Sequence, residues 1–132
     1  MFDKILCIDD DSITLMLCKM VISKNLFSNE IATATNGENA LYYFKSLKDL
    51  EEKSVSPQLI FLDLNMPVMG GWEFLDIFSS EEYSDYNTIK VVILSSTINP
   101  EDLEKSKKYS MVIDFLSKPI SKEMLEYLKT KF

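Results

Sequence analysis

The sequence contains no histidine at all. This absence excludes catalysis by a histidine base, metal binding through imidazole and phosphorylation of the chain on a histidine of its own. Any chemistry must therefore come from carboxylates, hydroxyls, lysines or a bound ion. Cysteine is also scarce, with Cys7 and Cys18 as the only two. Both fall in apolar segments, so we expect two buried reduced thiols rather than a disulfide.

Long hydrophobic runs and an excess of basic residues are also missing. No apolar run approaches the roughly 20 residues of a membrane span, and the chain does not open on a basic segment followed by an apolar one. We therefore expect a cytoplasmic protein that has no membrane partner. The net charge of -7 disfavours nucleic acid and anionic lipid as direct partners, because like charges repel. With 132 residues, of which 46% are hydrophobic, the chain suits one globular domain over residues 1–132.

Short apolar segments alternate with helix-like segments along the whole chain. The five predicted strands cover residues 4–8, 30–35, 59–62, 91–94 and 112–116. In the first predicted helix one face carries a regular apolar series, formed by Ile13, Met16, Leu17, Met20 and Val21. We expect polar surface connections at residues 48–57 and 81–87.

Polar residues mark where two of the helices begin. Asp11 or Ser12 is well placed to cap the first helix, since a side-chain oxygen there accepts a free backbone N–H. Asn99 and Pro100 predict the start of the fourth helix, which we expect to continue over residues 101–109. That segment offers few large apolar side chains, which favours a loosely held helix.

Five strand–helix units predict an α/β fold, because parallel strands need crossover connections and a parallel sheet is covered by helices on both faces. We expect a doubly wound, flavodoxin-like parallel sheet of five strands in the order 2-1-3-4-5. In that order the first and third strands flank the point where the strand order reverses. Ligands bind there, beyond the carboxyl ends of the strands.

Four of the predicted strands end in groups that can do chemistry. Asp9 and Asp10 follow the first strand, Asp63 the third, Ser95 the fourth and Lys118 the fifth. Two carboxylates about 4 Å apart repel by roughly 4 kcal/mol at an effective dielectric constant near 20. Three of them must therefore protonate, move apart or bind a cation. Oxygen ligands without histidine or cysteine favour Mg²⁺.

A cation site, an ammonium and a hydroxyl around one carboxylate suit phosphoryl transfer, because charge on the phosphoryl oxygens must be neutralised. Asp63 is then the predicted nucleophile, which forms an aspartyl phosphate. Each of these residues has an ordinary explanation when taken alone, such as a solvated turn, a strand end or a surface charge. Their joint occurrence at the ends of neighbouring strands favours a functional site.

These motifs give the chain a clear resemblance to the receiver domains of two-component response regulators, of the chemotaxis-regulator type. The resemblance covers residues 4–129 and rests on Asp9-Asp10, the run Asp-Leu-Asn-Met-Pro-Val-Met-Gly-Gly from Asp63, Ser95 after Val-Val-Ile-Leu, and Lys118-Pro119. It implies that Asp63 accepts a phosphoryl group from the phosphohistidine of a sensor histidine kinase or of a histidine phosphotransfer protein.

The same resemblance implies a set of Mg²⁺ ligands. Asp10 would bind the ion directly, and Asp9 would act mainly through water. Asp63 and the backbone carbonyl of Asn65 would complete the protein ligands. Asp11 extends the acidic pair and is not assigned as a ligand.

The resemblance also implies which residues respond to phosphorylation. Lys118 would pair with the phosphoryl group, and its peptide bond to Pro119 would be cis. Ser95 and Phe115 would be the switch residues, with Ser95 moving toward the phosphoryl oxygens and Phe115 rotating inward. Phe115 lacks a hydroxyl, so its rotation would depend on packing alone.

We expect a regulatory phosphoacceptor rather than an enzyme, whose output is contact with an unknown downstream protein. The family implies a monomer or a weak homodimer through the fourth helix, fifth strand and fifth helix. One alternative is a Mg²⁺-dependent phosphatase of the haloacid-dehalogenase type, but that class requires a second Asp where Asn65 stands. Another alternative, a flavodoxin-like FMN carrier, requires a phosphate-binding loop where residues 9–11 are all acidic.

Overall fold

A five-stranded sheet, all of whose strands run parallel, forms the centre of the molecule. The computed structural model describes residues 1–50 and 56–132. Its strands are β1 (Phe2–Ile8), β2 (Ser28–Ala34), β3 (Leu59–Leu62), β4 (Lys90–Ser95) and β5 (Val112–Ser117). They are arranged in the order β2-β1-β3-β4-β5. The predicted fold class and strand order are therefore confirmed.

Helices cover both faces of this sheet, as predicted. They are α1 (Ser12–Lys24), α2 (Gly37–Asp49), α3 (Gly71–Phe78), α4 (Pro100–Ser106) and α5 (Lys122–Lys129). Two hydrophobic clusters result, one beneath α1 and α5 and the other beneath α2, α3 and α4. The central strand β3 serves both, since Leu59 and Phe61 enter the first cluster while Ile60 and Leu62 enter the second. Within the described residues, no helix is both long enough and apolar enough to span a bilayer.

Side-chain caps fix where most of these helices begin. The Asp11 carboxylate accepts the N–H of Ile13, and the Asn99 side chain accepts the N–H of Glu101. Both caps agree with the sequence prediction, and Pro100 occupies the first turn of α4 as expected. Because each of these helices follows a strand, the caps also set where the chain turns above the sheet.

Helix α1 turns most of the predicted apolar series outward, although Val21 is half-buried against the core. Ile13, Met16 and Met20 are 62%, 53% and 59% exposed, whereas the buried residues of this helix are Leu15, Cys18 and Ile22. Apolar residues occupy both sides of α1, and the buried side is the one with the smaller series. The outcome is an exposed apolar face on α1.

The connections differ from the predictions in two places. Helix α2 continues to Asp49, so Lys48 is helical, and residues 51–55 of the predicted 48–57 connection lie outside the described residues. The predicted 81–87 connection contains a 3₁₀ helix, Glu81–Tyr86, which is held by two buried tyrosines. One of them, Tyr86, donates its hydroxyl to the backbone carbonyl of Phe44 at 3.0 Å.

Helix α4 is shorter than the predicted 101–109 segment and ends at Ser106. The Ser106 hydroxyl donates to the carbonyl of Leu103 at 2.7 Å, and turns follow before Tyr109. Tyr109 is therefore outside the helix, although its ring still packs against the core beside Leu103.

Candidate functional site

The carboxyl ends of β1 and β3 bring three carboxylates together. These strands pair so that Ile8 lies opposite Leu62, and the Asp63 N–H donates to the carbonyl of Ile8 at 2.9 Å. One carboxylate oxygen from each of Asp9, Asp10 and Asp63 lies within 4.8 Å of the others. Asp9 and Asp63 are buried, whereas Asp10 is exposed. The predicted convergence of these side chains at one edge of the sheet is thus present.

Lys118 reaches into this cluster from the end of β5. Its Nζ lies 2.6 Å from Asp9 Oδ2 and 3.4 Å from Asp63 Oδ1. The peptide bond that follows, to Pro119, is cis as predicted. Burial alone lowers the pKa of Lys118, but the hydrogen bond to Asp9 and the charges of both carboxylates outweigh it, so the pKa is raised. The ammonium is therefore present throughout the neutral pH range.

Asp63 has one engaged and one open oxygen. Oδ1 accepts the N–H of Leu64 at 2.9 Å and faces Lys118. Within residues 1–50 and 56–132, no group donates a hydrogen bond to Oδ2. Burial raises the pKa of Asp63 and the charge of Asp9 raises it further, while Lys118 and the Leu64 N–H act in the opposite direction. A cation in the cluster would lower that pKa again, because it favours the ionised form.

Ser95 lies on β4, the strand next to β3, and Phe115 lies on β5 beyond it. Ser95 ends β4 and is buried, and its hydroxyl oxygen is 3.4 Å from the N–H of Thr97. Its carbonyl accepts the backbone N–H of Lys118 at 2.8 Å, which joins the ends of β4 and β5. Phe115 is only 8% exposed and packs in the core. An inward rotation of the Phe115 ring would therefore bury little additional surface.

The donor set fits a hard divalent cation. All three clustered side chains offer oxygen, and Asp10 remains exposed to water, which suits an ion that keeps part of its hydration shell. Asn65 lies two residues after Asp63 with an exposed side chain, at the start of the loop toward α3. The contribution of its carbonyl stays a prediction.

Two glycines allow α3 to begin directly against the Asp63 loop. A Cβ on Gly71 would lie 2.6 Å from the carbonyl oxygen of Asp63, and one on Gly70 would lie 2.9 Å from that of Leu64. The Gly71 N–H donates to the Leu64 carbonyl at 2.9 Å. The sequence marked these glycines only as turn residues. Their spacing did not predict that α3 begins in close contact with the backbone of Asp63.

Comparison with known proteins agrees with this geometry. The sequence-family model of the response regulator receiver domain matches residues 5–128. A two-component response regulator from Cytophaga hutchinsonii is 32% identical and superposes with a TM-score of 0.87, covering 98% of this chain and 96% of that one. The chemotaxis response regulator CheY4 of Vibrio cholerae is 25% identical, with a TM-score of 0.72 over 99% of this chain and 98% of that one.

Curated relatives include much longer proteins. A protein-glutamate methylesterase/protein-glutamine glutaminase of Halalkalibacterium halodurans is 28% identical over 97% of this chain, which spans 34% of that protein. The haloacid-dehalogenase alternative has no support, since the matching family and the similar structures are those of response regulators. Receiver domains of this kind generally bind Mg²⁺ at an acidic cluster such as the one described above. On the match over residues 5–128, the chain belongs to the response regulator receiver domain family.

Proposed function

We propose that this chain is a phosphorylation-dependent signalling switch in which Asp63 accepts a phosphoryl group from a histidine kinase or a histidine phosphotransfer protein. The open Oδ2 of Asp63 carries this proposal. Its partner oxygen is held by the Leu64 N–H and faces the Lys118 ammonium, so the carboxylate is oriented while one oxygen stays available. These 132 residues contain no histidine, so the phosphohistidine must lie outside them.

The transfer exchanges one bond to phosphorus for another. An electron pair of Asp63 Oδ2 forms the new P–O bond, and the P–N bond to the donor imidazole breaks. The imidazole leaves with that electron pair, which then takes up a proton. Lys118, already 3.4 Å from Asp63 Oδ1, balances part of the charge that accumulates on the phosphoryl oxygens.

The acidic cluster would hold the Mg²⁺ ion. Asp10 and Asp63 would bind it directly together with the backbone carbonyl of Asn65, and Asp9 would act mainly through water. Asp9 Oδ2 lies 2.6 Å from the Lys118 ammonium, and this supports the indirect role because that oxygen already contacts a cation. When bound, the ion supplies positive charge that offsets repulsion among the carboxylates and the incoming phosphoryl oxygens.

Switching would begin at Ser95. An aspartyl phosphate adds roughly one to two negative charges and strong acceptor oxygens close to this buried hydroxyl. Movement of Ser95 toward those oxygens would pull the loop at residues 96–99 and shift α4 and β5 to a second packing. The amide resonances of residues 97–116 should therefore move on phosphorylation. Unchanged resonances over this range would rule out the switching scheme.

The exposed apolar face of α1 would dock the phosphate donor. It starts at Ile13, directly after the acidic loop, and continues through Met16 and Met20. Lys19 and Lys24 on the same helix are exposed and basic in a chain whose net charge is -7. This pairing suits an amphipathic helical partner with an apolar stripe and acidic flanks. The phosphohistidine could then approach Asp63 over the mouth of the site.

Incubation with Mg²⁺ and acetyl phosphate, followed by intact mass spectrometry, tests the chemistry. We expect one added phosphoryl group on the wild-type chain and none on Asp63→Asn or after chelation of Mg²⁺. Asp85→Asn is the matched control, since Asp85 is exposed in the 3₁₀ helix that precedes β4, at the opposite edge of the sheet. Phosphorylation of Asp63→Asn to the wild-type level would contradict the proposal. Sustained turnover of varied phosphate esters would favour a phosphatase instead.

A further inference from the structure

The only tryptophan of the chain connects the Asp63 loop with the end of α4. Trp72 directly follows Gly71, whose backbone packs against the Asp63 carbonyl. Its indole stacks on the ring of Tyr109, with centroids 5.7 Å apart and an angle of 21° between the planes. Because Tyr109 follows α4, this one stack joins the start of α3 to the far end of α4.

Two polar contacts strengthen the same connection. The Tyr109 hydroxyl donates to Oδ1 of Asp76, which lies four residues after Trp72 and hence on the same side of α3. Lys105 places its ammonium 4.9 Å from the centre of the Trp72 ring, a cation–π distance. Burial, together with the hydrogen bond to Asp76 and the charge of that carboxylate, raises the pKa of Tyr109 to about 12. The phenol therefore remains a hydrogen-bond donor at neutral pH.

Within the described residues, helix α4 itself buries few side chains. Within α4, Ser106 is the buried residue and Leu103 is partly buried, while most of its other residues are charged. Its opposite end joins the loop that follows Ser95, the last residue of β4. A shift of Ser95 would thus displace one end of α4, while the contacts among Trp72, Tyr109 and Asp76 hold the other end in place.

We propose that Trp72, Tyr109 and Asp76 form a clasp that holds α4 in its unphosphorylated position and opposes the response to phosphorylation. The inference rests on the proposed function, since it assumes that a group bound at Asp63 shifts α4. A contact made in one of two states favours that state by its whole interaction free energy. Loosening the clasp should therefore strengthen binding of any ligand that requires the shifted position.

Beryllofluoride with Mg²⁺ tests the clasp, because this anion mimics a phosphoryl group on a carboxylate. Trp72 emission reports its binding in every variant that keeps the indole. Tyr109→Phe retains the ring on Trp72 but removes the hydroxyl, and Asp76→Ala removes the acceptor. We expect both variants to bind beryllofluoride about fivefold more tightly than the wild type, the effect of losing one solvent-exposed hydrogen bond in the resting state only.

Glu73→Ala is the matched control, because it removes an exposed acidic residue from the same helix. It should bind beryllofluoride within about twofold of the wild type, whereas a general effect of charge would change it as much as Asp76→Ala. The amide resonances of residues 96–109 should also move toward their bound positions in unliganded Tyr109→Phe. Wild-type or weaker affinity in both clasp variants would overturn the clasp and leave the proposed function standing. Failure of the wild type itself to bind beryllofluoride would overturn both.

Discussion

Replacing Gly71 by alanine places a methyl group where the structure has no room for it. The new Cβ would lie 2.6 Å from the Asp63 carbonyl oxygen and 3.0 Å from Leu64 Cα. Both neighbours are backbone atoms, so either the start of α3 or the Asp63 loop must move by several tenths of an ångström. Overpacking of this kind costs about 1–3 kcal/mol, which exceeds what alanine contributes through helix propensity at a terminal position.

Gly37 provides the matched comparison, because it too is the first residue of a helix. Its Cβ would meet the Met69 side chain at 2.8 Å, a flexible group that can turn away, and would lie 3.0 Å from Phe74 Cβ, which requires a shift of only a few tenths of an ångström. We expect Gly71→Ala to lose about 2 kcal/mol of unfolding free energy, or roughly 5–8 °C in Tm, and Gly37→Ala to lose less than about 1 kcal/mol. Urea unfolding gives the free energies, and acetyl phosphate labelling should be slower only in Gly71→Ala. Equal stability of the two variants would refute the close-approach argument.

Three further predictions follow from individual side chains. Leu26 has φ of 53° and is 80% exposed, so Leu26→Gly should raise the unfolding free energy by about 1 kcal/mol, and Leu26→Ala should not. Ile13→Ser with Met16→Ser should slow transfer from a phosphohistidine protein at least about tenfold, yet leave acetyl phosphate labelling intact. Tyr42→Ser removes an exposed aromatic side chain from α2 and should leave the rate of transfer from the phosphohistidine protein at the wild-type value. Lys118→Met should slow acetyl phosphate labelling about 10²-fold; near-wild-type rates would remove Lys118 from the mechanism.

The polar residues of the site were predictable because they follow short apolar strands. Asp9, Asp63 and Lys118 each come at the end of a strand, and in a parallel sheet all such ends lie at one edge. Strand alternation alone therefore predicted that these groups meet. Distances within the group, such as 2.6 Å from Lys118 to Asp9, depend on how side chains from β1 and β5, which are not neighbours in the sheet, are oriented at its carboxyl edge, and the sequence pattern does not encode this.

The face of α1 was beyond prediction for a different reason. Ile13 and Met16 form an apolar series with helical spacing, but so do Leu15 and Cys18 on the buried side. Periodicity identifies a helix, whereas the choice between two apolar faces depends on the shape of the sheet beneath it. The contact of Tyr109 with α3 could not be predicted from the sequence either, because Trp72 and Tyr109 are far apart along the chain.

By itself, the sequence determined the order of strands and helices, the capped helix starts near Asp11 and at Asn99, and the polar residues that stand at the strand ends. These features are local, since a strand, a helix start or a turn depends on neighbouring residues. Only the tertiary structure decided which face of α1 is exposed, how closely Gly71 approaches Asp63 and where α4 is held. Those features arise from contacts between distant segments, and such contacts exist only after the sheet has assembled.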